Sequence, residues 1–387
     1  MRITVFGDAM YKREYDALLP TKSPEAIFAS FADLADVFSA SDFNIVNLET
    51  PVAGEESGYV AEQFSFNAPL AFAQSVKKLG ADMVLCANNH CLDRGVQGLL
   101  NTVKNLKEIG LDYIGIHDKK EPAHKIVEVK GIRVGFVNFT YGTNAFSNGQ
   151  YLNRSAGYMV DLLQKQELHN KLVRKIYYAR KRPWSLARGV AKRLHIGQMD
   201  VLPYARRESD FFEKRRFVKA IRDCKKSGAD YVVVLPHIGD QYGSAPSAYT
   251  KEICDLAIRS GADAVVANHE HLIHPAKAEN GKCIAYSLGN FFGVAGVLCA
   301  PYDKKSEYSM AVHLDFEKGK APAYAFSLYK TICEDNVLKT VSLYDLIQST
   351  TDENEKQRLV DDNAYFVNYI SGMDGAVELK REYGIGR

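Results

Sequence analysis

Asp82-Met83-Val84-Leu85-Cys86-Ala87-Asn88-Asn89-His90-Cys91-Leu92-Asp93-Arg94-Gly95 passes from an apolar strand pattern straight into amides, an imidazole and a carboxylate. In α/β proteins, ligands bind just outside the carboxyl ends of the strands. Four other apolar runs end in the same residue types. Ile3-Thr4-Val5-Phe6 leads to Gly7-Asp8, Phe43-Asn44-Ile45-Val46 to Asn47-Leu48-Glu49, and Tyr231-Val232-Val233-Val234-Leu235 to Pro236-His237. Ala264-Val265-Val266-Ala267 leads to Asn268-His269-Glu270-His271. One such ending is ordinary turn chemistry. Five together point to one shared site, built from side chains that ligate hard or borderline cations.

Working outward, strands alternate with helical patterns. Residues 23–38 predict a helix, with Ser23-Pro24 as cap and first turn and Ile27, Phe31, Leu34 and Phe38 at helical spacing. Residues 71–79 and 97–109 predict two more, stopped by Gly80 and Gly110. Lys130-Gly131 joins strands 126–129 and 133–137 as a hairpin. The βαβ rhythm returns with helices over 212–226 and 249–259 and strands over 231–236 and 263–267. Strands of antiparallel character follow at 282–287 and 309–316, and helix is expected from residue 343. The organisation read from this is an α/β domain over 1–300 and a strand-and-helix extension over 301–387 packed on it. A basic insertion occupies about 145–210.

That insertion is unusual in charge. Residues 168–199 contain no acid but include Lys171, Arg174, Lys175, Arg180, Lys181, Arg182, Arg188, Lys192 and Arg193. The chain as a whole carries a formal net charge of only +2, so anion binding must come from local patches of this kind. Charge runs are most often solvated helical faces. With Leu168, Leu172 and Ile176, then Leu186, Val190 and Leu194, each half also has an apolar side, which would suit an acidic lipid surface or a polyanion. Nucleic acid is not expected as a partner. The 387 residues hold seven scattered cysteines without a Cys-x-x-Cys pair, which argues for reduced thiols rather than a disulfide scaffold. No apolar run reaches the roughly 20 residues of a membrane span, and no leader pattern precedes the first strand. A cytoplasmic protein with peripheral membrane contact is the expectation.

Asp8 and Glu49 offer hard oxygen ligands, Asn89 an amide oxygen, and His237, His269 and His271 imidazoles. Such a mixture can hold two divalent cations about 3.5–4 Å apart. His90 could protonate a leaving group or stabilise developing charge, with Asp93 orienting it. Each residue alone also has a plainer role. Asp8 suits a turn, Glu49 a cap, Asn88-Asn89 a left-handed bend and His237 a packed ring. His269-x-His271 is more specific, since an extended backbone puts both rings on one side. It is no zincin helix, because Ile273 stands where the second histidine would be. Gly-x-Ser-x-Gly, Walker and Gly-x-Gly-x-x-Gly motifs are missing, which removes serine-hydrolase and nucleotide-fold readings.

The order of the segments Gly7-Asp8, Asn47-Leu48-Glu49-Thr50-Pro51, Phe66-Asn67-Ala68-Pro69, Ala87-Asn88-Asn89-His90-x-Leu92-Asp93-x-Gly95, His237-Ile238-Gly239, Ser260-Gly261-Ala262-Asp263, His269-x-His271 and Tyr286-Ser287-Leu288-Gly289-Asn290-Phe291 resembles the bacterial capsule-synthesis CapA / poly-γ-glutamate biosynthesis proteins, relatives of calcineurin-like metallophosphoesterases. The resemblance implies a β-sandwich flanked by helices, four layers α-β-β-α, with a dinuclear site at one edge. It implies one or two divalent ions per chain, Mn, Zn or Fe. Asp8, Glu49, Asn89, His237, His269 and His271 match the metal positions, and His90 and Asp93 the catalytic ones. Asn47, Asn88 and Asn290 match the substrate side. Four departures stand out: Met10 where an Asp-x-His motif has histidine, Gln241 at a glutamate position, Asn268 where glycine is usual before the His-x-His, and Glu270 where proline is common.

The expected function is a metal-dependent hydrolase of phosphoester or amide bonds serving capsule or poly-γ-glutamate-type polymer synthesis. The alternative is an accessory protein that holds metal or anion without turnover. Expected partners are a polyanionic polymer or phosphorylated substrate. Trp184 is the only tryptophan and lies in the basic stretch. Polyglutamate or anionic vesicles should shift its emission, less so at high salt because the contacts are screened charges. An emission spectrum that neither partner moves at low ionic strength would assign the stretch to packing.

Overall fold

The structure is a computed structural model, described here for residues 1–11, 23–57, 66–166, 210–293, 304–334 and 337–386. Its strands are β1 (Arg2–Ala9), β2 (Phe43–Leu48), β3 (Met83–Leu85), β4 (Asp112–Ile114), β5 (Lys125–Val129), β6 (Ile132–Val137) and β7 (Tyr231–Val234). Then come β8 (Ala264–Val266), β9 (Ala276–Glu279), β10 (Lys282–Ala285), β11 (Tyr308–Asp315), β12 (Ala323–Glu334), β13 (Val337–Ser342) and β14 (Tyr383–Gly384). One sheet runs β13-β12-β11-β1-β2-β3-β4, with β14 paired to β12; the other runs β5-β6-β7-β8-β10-β9. The centre of each sheet is parallel: β1 to β4 in the first, and β6, β7, β8 and β10 in the second.

Residue alternation explains the layering. Ile3, Val5, Ile45, Met83 and Leu85 of the first sheet share a core with Val134, Phe136, Val233, Ala264, Val266 and Cys283 of the second. Their neighbours face outward. Phe6, Val46 and Val84 pack with residues of helices Pro24–Ala29, Leu70–Leu79 and Gly95–Ile109. Val232, Val234 and Val265 pack under helices Phe211–Lys226 and Ala248–Ser260. Both faces of both sheets are thus covered, which gives the four-layer α-β-β-α sandwich. Residues past 300 form the antiparallel half of the first sheet, β11 lying beside β1, and helix Glu353–Ser371 joins the inter-sheet core through Leu359, Phe366 and Ile370.

Local signals explain most boundaries. Ser23 accepts a hydrogen bond from the Ala26 N–H, and Gly80 and Gly110 end their helices in the left-handed region. Lys130 and Gly131 both have positive φ, as a two-residue hairpin turn requires. The helix expected over 23–38 is instead two short helices, Pro24–Ala29 and Ala35–Ser39, around a 3₁₀ turn. Phe31 there stacks on Phe291, and Phe38 on Phe6; tertiary packing of the rings overrides the regular spacing. The strand expected over 282–287 is antiparallel to β9, as its pattern suggested, but lies parallel to β8 on its other side and in a different sheet from β11. No described helix is long and apolar enough to cross a membrane. The insertion expected at 145–210 is described only as far as residue 166, and the basic stretch 168–199 lies outside the described residues.

The parallel strands of both sheets end at one seam. There the chain after β10 meets the end of β1: Asp8 N–H donates to the Gly289 carbonyl at 3.0 Å, and Phe292 N–H to the Asp8 carbonyl at 3.1 Å. Phe291 anchors this segment among Phe6, Phe31 and Phe38. A β-carbon on Gly7 would lie 2.1 Å from the Gly289 carbonyl oxygen, a main-chain atom that cannot rotate away. Gly7→Ala is therefore expected to cost about 3 kcal/mol in urea denaturation, at the upper end of overpacking effects. Unchanged stability would show a pliable seam.

Candidate metal centre

Every candidate ligand lies at or within a few residues of the carboxyl end of a parallel strand: Asp8 next to last in β1, Glu49 after β2, Asn89 after β3, His237 after β7, and His269 and His271 after β8. All six are buried. His237 Nε2 lies 2.7 Å from Asn89 Oδ1, 3.1 Å from His269 Nδ1 and 3.4 Å from Glu49 Oε1. His271 Nδ1 lies 3.2 Å from Asp8 Oδ2 and 3.8 Å from Glu49 Oε2. Two ligand groups result, Asp8-Glu49-His237 and Glu49-His269-His271, each with its ligand atoms within 4.8 Å of one another. Glu49 belongs to both, and neither of its buried oxygens has a hydrogen-bond partner.

The electrostatics match that geometry. Burial, reinforced by the charge of Asp8, pushes the Glu49 carboxyl up to about 8. Burial pushes His237 down to about 4 and His269 well below its ordinary value. Burial also opposes charge on Asp8 and His271. Their mutual contact outweighs it, holding Asp8 low and, with Glu49, raising His271. Without cations the cluster must keep most of its groups neutral; divalent cations would reverse that balance. The bare Glu49 oxygens and the surrounding oxygen and nitrogen donors therefore fit such ions. The backbone is strained at the same place, with φ of 118° at His269 and 58° at His271. The two rings reach the cluster through a bend and not through the extended alternation the sequence suggested.

His90 stands at the rim of the cluster. Its Nδ1 contacts Asp93 Oδ2 at 2.7 Å, which leaves Nε2 turned to the centre, 4.0 Å from Glu49 Oε1. Asp93 in turn accepts from the Phe66 N–H at 2.8 Å and from Asn148 at 3.2 Å, and Phe66 stacks on the His90 ring. Asn47 donates to Asp8 Oδ1 at 2.6 Å and lies 3.2 Å from His237 Nδ1. Asn290 Oδ1 lies 3.0 Å from His271 Nδ1, and Asn88 ties Leu48 O to the His90 N–H. These three asparagines, expected on the substrate side, all contact the scaffold or the candidate ligands.

Asn138 was not singled out by the sequence. It accepts from the Ala87 N–H at 2.8 Å and donates to the Leu235 carbonyl at 2.7 Å, tying the ends of β3 and β7 across the two sheets. An asparagine just past a strand reads as a turn, so its bridging role is invisible without the second sheet. Tyr141 and Tyr242, with rings 4.6 Å from His269 and 5.4 Å from His271, were likewise unmarked. Met10 packs with Phe66 and supplies no ligand.

The molecule is thus a helix-flanked double sheet with His, Asp, Glu and Asn converging at the carboxyl ends of its parallel strands. The chain belongs to the family of the bacterial capsule synthesis protein PGA_cap, which it matches over residues 2–294. It is 25% identical over 296 residues to the capsule biosynthesis protein CapA of Bacillus anthracis, covering 75% of this chain and 59% of that one. With the PGA biosynthesis protein CapA of Bacillus subtilis (strain 168) it shares 25% identity over 289 residues, 74% of this chain and 61% of the relative. The chain thus spans about three fifths of the length of these relatives. Among solved structures it is similar to the calcineurin-like phosphoesterase YfkN from Bacillus subtilis, at 12% identity and TM-score 0.42 over 95% of this chain and 98% of that one. A hypothetical protein from Thermus thermophilus is similar at 15% identity and TM-score 0.44, over 85% of this chain and 99% of that one.

Glu49 generates a pH prediction. Its folded-state value, about 8, lies above the ordinary 4.5, so its contribution to stability is complete below about 4.5 and lost as pH rises through about 8. Glu49→Gln stays neutral throughout. At pH 8 the chelator-treated variant should melt above the chelator-treated parent, while Mn²⁺ should raise its Tm by less than it raises the parent's. A variant that melts lower, or that Mn²⁺ still stabilises as in the parent, contradicts this assignment.

Proposed function

We propose that the protein is a metal-dependent hydrolase acting on a phosphoester or amide bond in the synthesis of a capsule or poly-γ-glutamate-type polymer. The observation that carries this reading is Glu49, buried, without a hydrogen bond on either oxygen, and common to both ligand groups. Asp8, Glu49, Asn89 and His237 would hold one side of the centre, and Glu49, His269 and His271 the other. Divalent cations held there, such as Mn, Zn or Fe, would polarise the scissile group and supply a nucleophile at neutral pH.

The remaining steps belong to the chain. Asp93 keeps the His90 proton on Nδ1 in the neutral ring and stabilises the ring when Nε2 is also protonated. In that charged form Nε2 faces the cluster as a donor, able to protonate a leaving oxygen or nitrogen or to stabilise charge developing on it. Phe66 covers one face of the ring and Asn148 holds the second Asp93 oxygen. The basic stretch 168–199 would supply cationic contacts to a polyanionic substrate or an acidic membrane surface. A second reading, polymer handling without turnover, is favoured by Met10, which leaves the Asp8 side of the centre without a further histidine.

His90→Ala separates the two. On hydrolysis, turnover of a chromogenic phosphodiester with Mn²⁺ should fall about 10²–10⁴-fold, with bound metal unchanged. Asp93→Asn should fall less and shift the pH profile. A parent protein that binds Mn²⁺ and polyglutamate yet turns over neither phosphodiester nor γ-glutamyl amide would establish the accessory reading. Loss of metal in His90→Ala would make that residue a ligand.

A further inference from the structure

Glu270 stands between two candidate ligands, yet its carboxylate faces a different set of groups. It is 0% exposed, and neither oxygen has a hydrogen bond of ordinary geometry, with the Asp240 N–H and Thr250 as polar neighbours. Its Oε1 lies 3.9 Å from Nδ1 of His274, itself 1% exposed. His274 Nε2 lies 2.9 Å from the Gly243 carbonyl oxygen. A carbonyl only accepts, so Nε2 carries the proton and Nδ1 of the neutral ring is an acceptor, also without a partner. This nitrogen and the Glu270 carboxyl, which burial pushes up to about 9, therefore face each other beyond hydrogen-bond reach.

Main-chain oxygens surround the same space. A β-carbon on Gly243 would lie 3.0 Å from the Asp240 carbonyl oxygen, 3.3 Å from Glu270 Oε2 and 3.5 Å from the Ala245 carbonyl oxygen. On Gly239, where φ is +138°, it would lie 2.1 Å from Glu270 Oε1. Only glycine at 239 leaves the carboxylate its place. A buried carboxylate and a buried ring nitrogen left unpaired are each costly. A cation bound by both removes the two costs at once.

We propose that Glu270, His274 Nδ1 and the carbonyl oxygens of Asp240 and Ala245 form a further cation site, distinct from the candidate centre, for a divalent ion of the Mn²⁺ type. That ion accepts carboxylate and carbonyl oxygen, with one imidazole completing the set. It ties the loop 239–245 to the His269–His271 bend. The Tyr242 N–H already donates to the Glu270 carbonyl at 2.9 Å, and Gln241 Nε2 lies 3.4 Å from His271 Nε2. The ion is thus a clamp that holds Gln241 and Tyr242 against His271, and it does not touch substrate.

The test counts ions. The whole chain is stripped with chelator, reloaded with Mn²⁺ and desalted, and its manganese is measured by elemental analysis and electron paramagnetic resonance. Glu270→Gln is expected to hold one ion fewer than the parent. His274→Phe, which leaves the carboxylate in place, should show the same loss and serves if Glu270→Gln does not fold, as checked by circular dichroism. The double variant Asp8→Asn/Glu49→Gln should lose the centre's manganese and keep one ion. Equal counts in the parent and in a folded Glu270 or His274 variant overturn the proposal, as does a double variant that holds none. A parent and a double variant that each hold one ion would sink the candidate centre and leave this site standing.

Discussion

Hydrogen bonds between Asp8 and the 289–292 segment close the seam between the two sheets, and the candidate centre depends on that closure. Asp8 donates to the Gly289 carbonyl and accepts from Phe292 through its own carbonyl. Neither sheet alone assembles the cluster. Asp8, Glu49 and Asn89 come from the first, and His237, His269 and His271 from the second. The close approach of Gly7 to Gly289, the ring packing around Phe291 and the Asn138 bridge between Ala87 and Leu235 hold the two together. The fully buried rings of Phe6, Phe31 and Phe291 each bring about 2–3 kcal/mol of hydrophobic stabilisation to this seam.

What is assembled there opposes stability. Two acidic and three imidazole side chains lie in one buried cluster, and neither Glu49 oxygen makes a hydrogen bond. Buried unpaired charge is destabilising unless a counter-charge arrives. The strained φ values at His269 and His271 add to that cost. A site that is unfavourable empty and favourable when filled is the thermodynamic signature expected of a metal centre, because binding to the folded state then also stabilises it.

Much of this was legible in the chain because strand ends have a chemical signature. Alternating or apolar runs marked β1, β2, β3, β7 and β8, and the polar residue at the end of each named its contribution to the cluster. The Lys130-Gly131 turn and the Gly80 and Gly110 helix stops follow from backbone sterics that operate locally. Non-local features were not legible. β12 has buried residues on both faces, with Ala325, Phe326, Leu328 and Tyr329 all inside, so it lacks the clean alternation that marks a half-exposed strand. The antiparallel character of strand 282–287, realised with β9, was legible, but its parallel pairing with β8 depends on a partner that periodicity does not name. The bend at His269 and His271 gives no sequence signal, since histidine in the left-handed region is uncommon. The orphaned Glu270 carboxylate became visible only once Gly239, Gly243 and His274 were placed around it.

The central claim is that Glu49 is shared by two cations. Anomalous diffraction from crystals of the protein grown with Mn²⁺ tests it most directly. Two peaks about 4 Å apart on either side of the Glu49 carboxylate are predicted, one also contacting Asp8 and His237 and the other His269 and His271. No manganese in contact with Glu49, or a single ion at the seam under saturating Mn²⁺, would contradict the account.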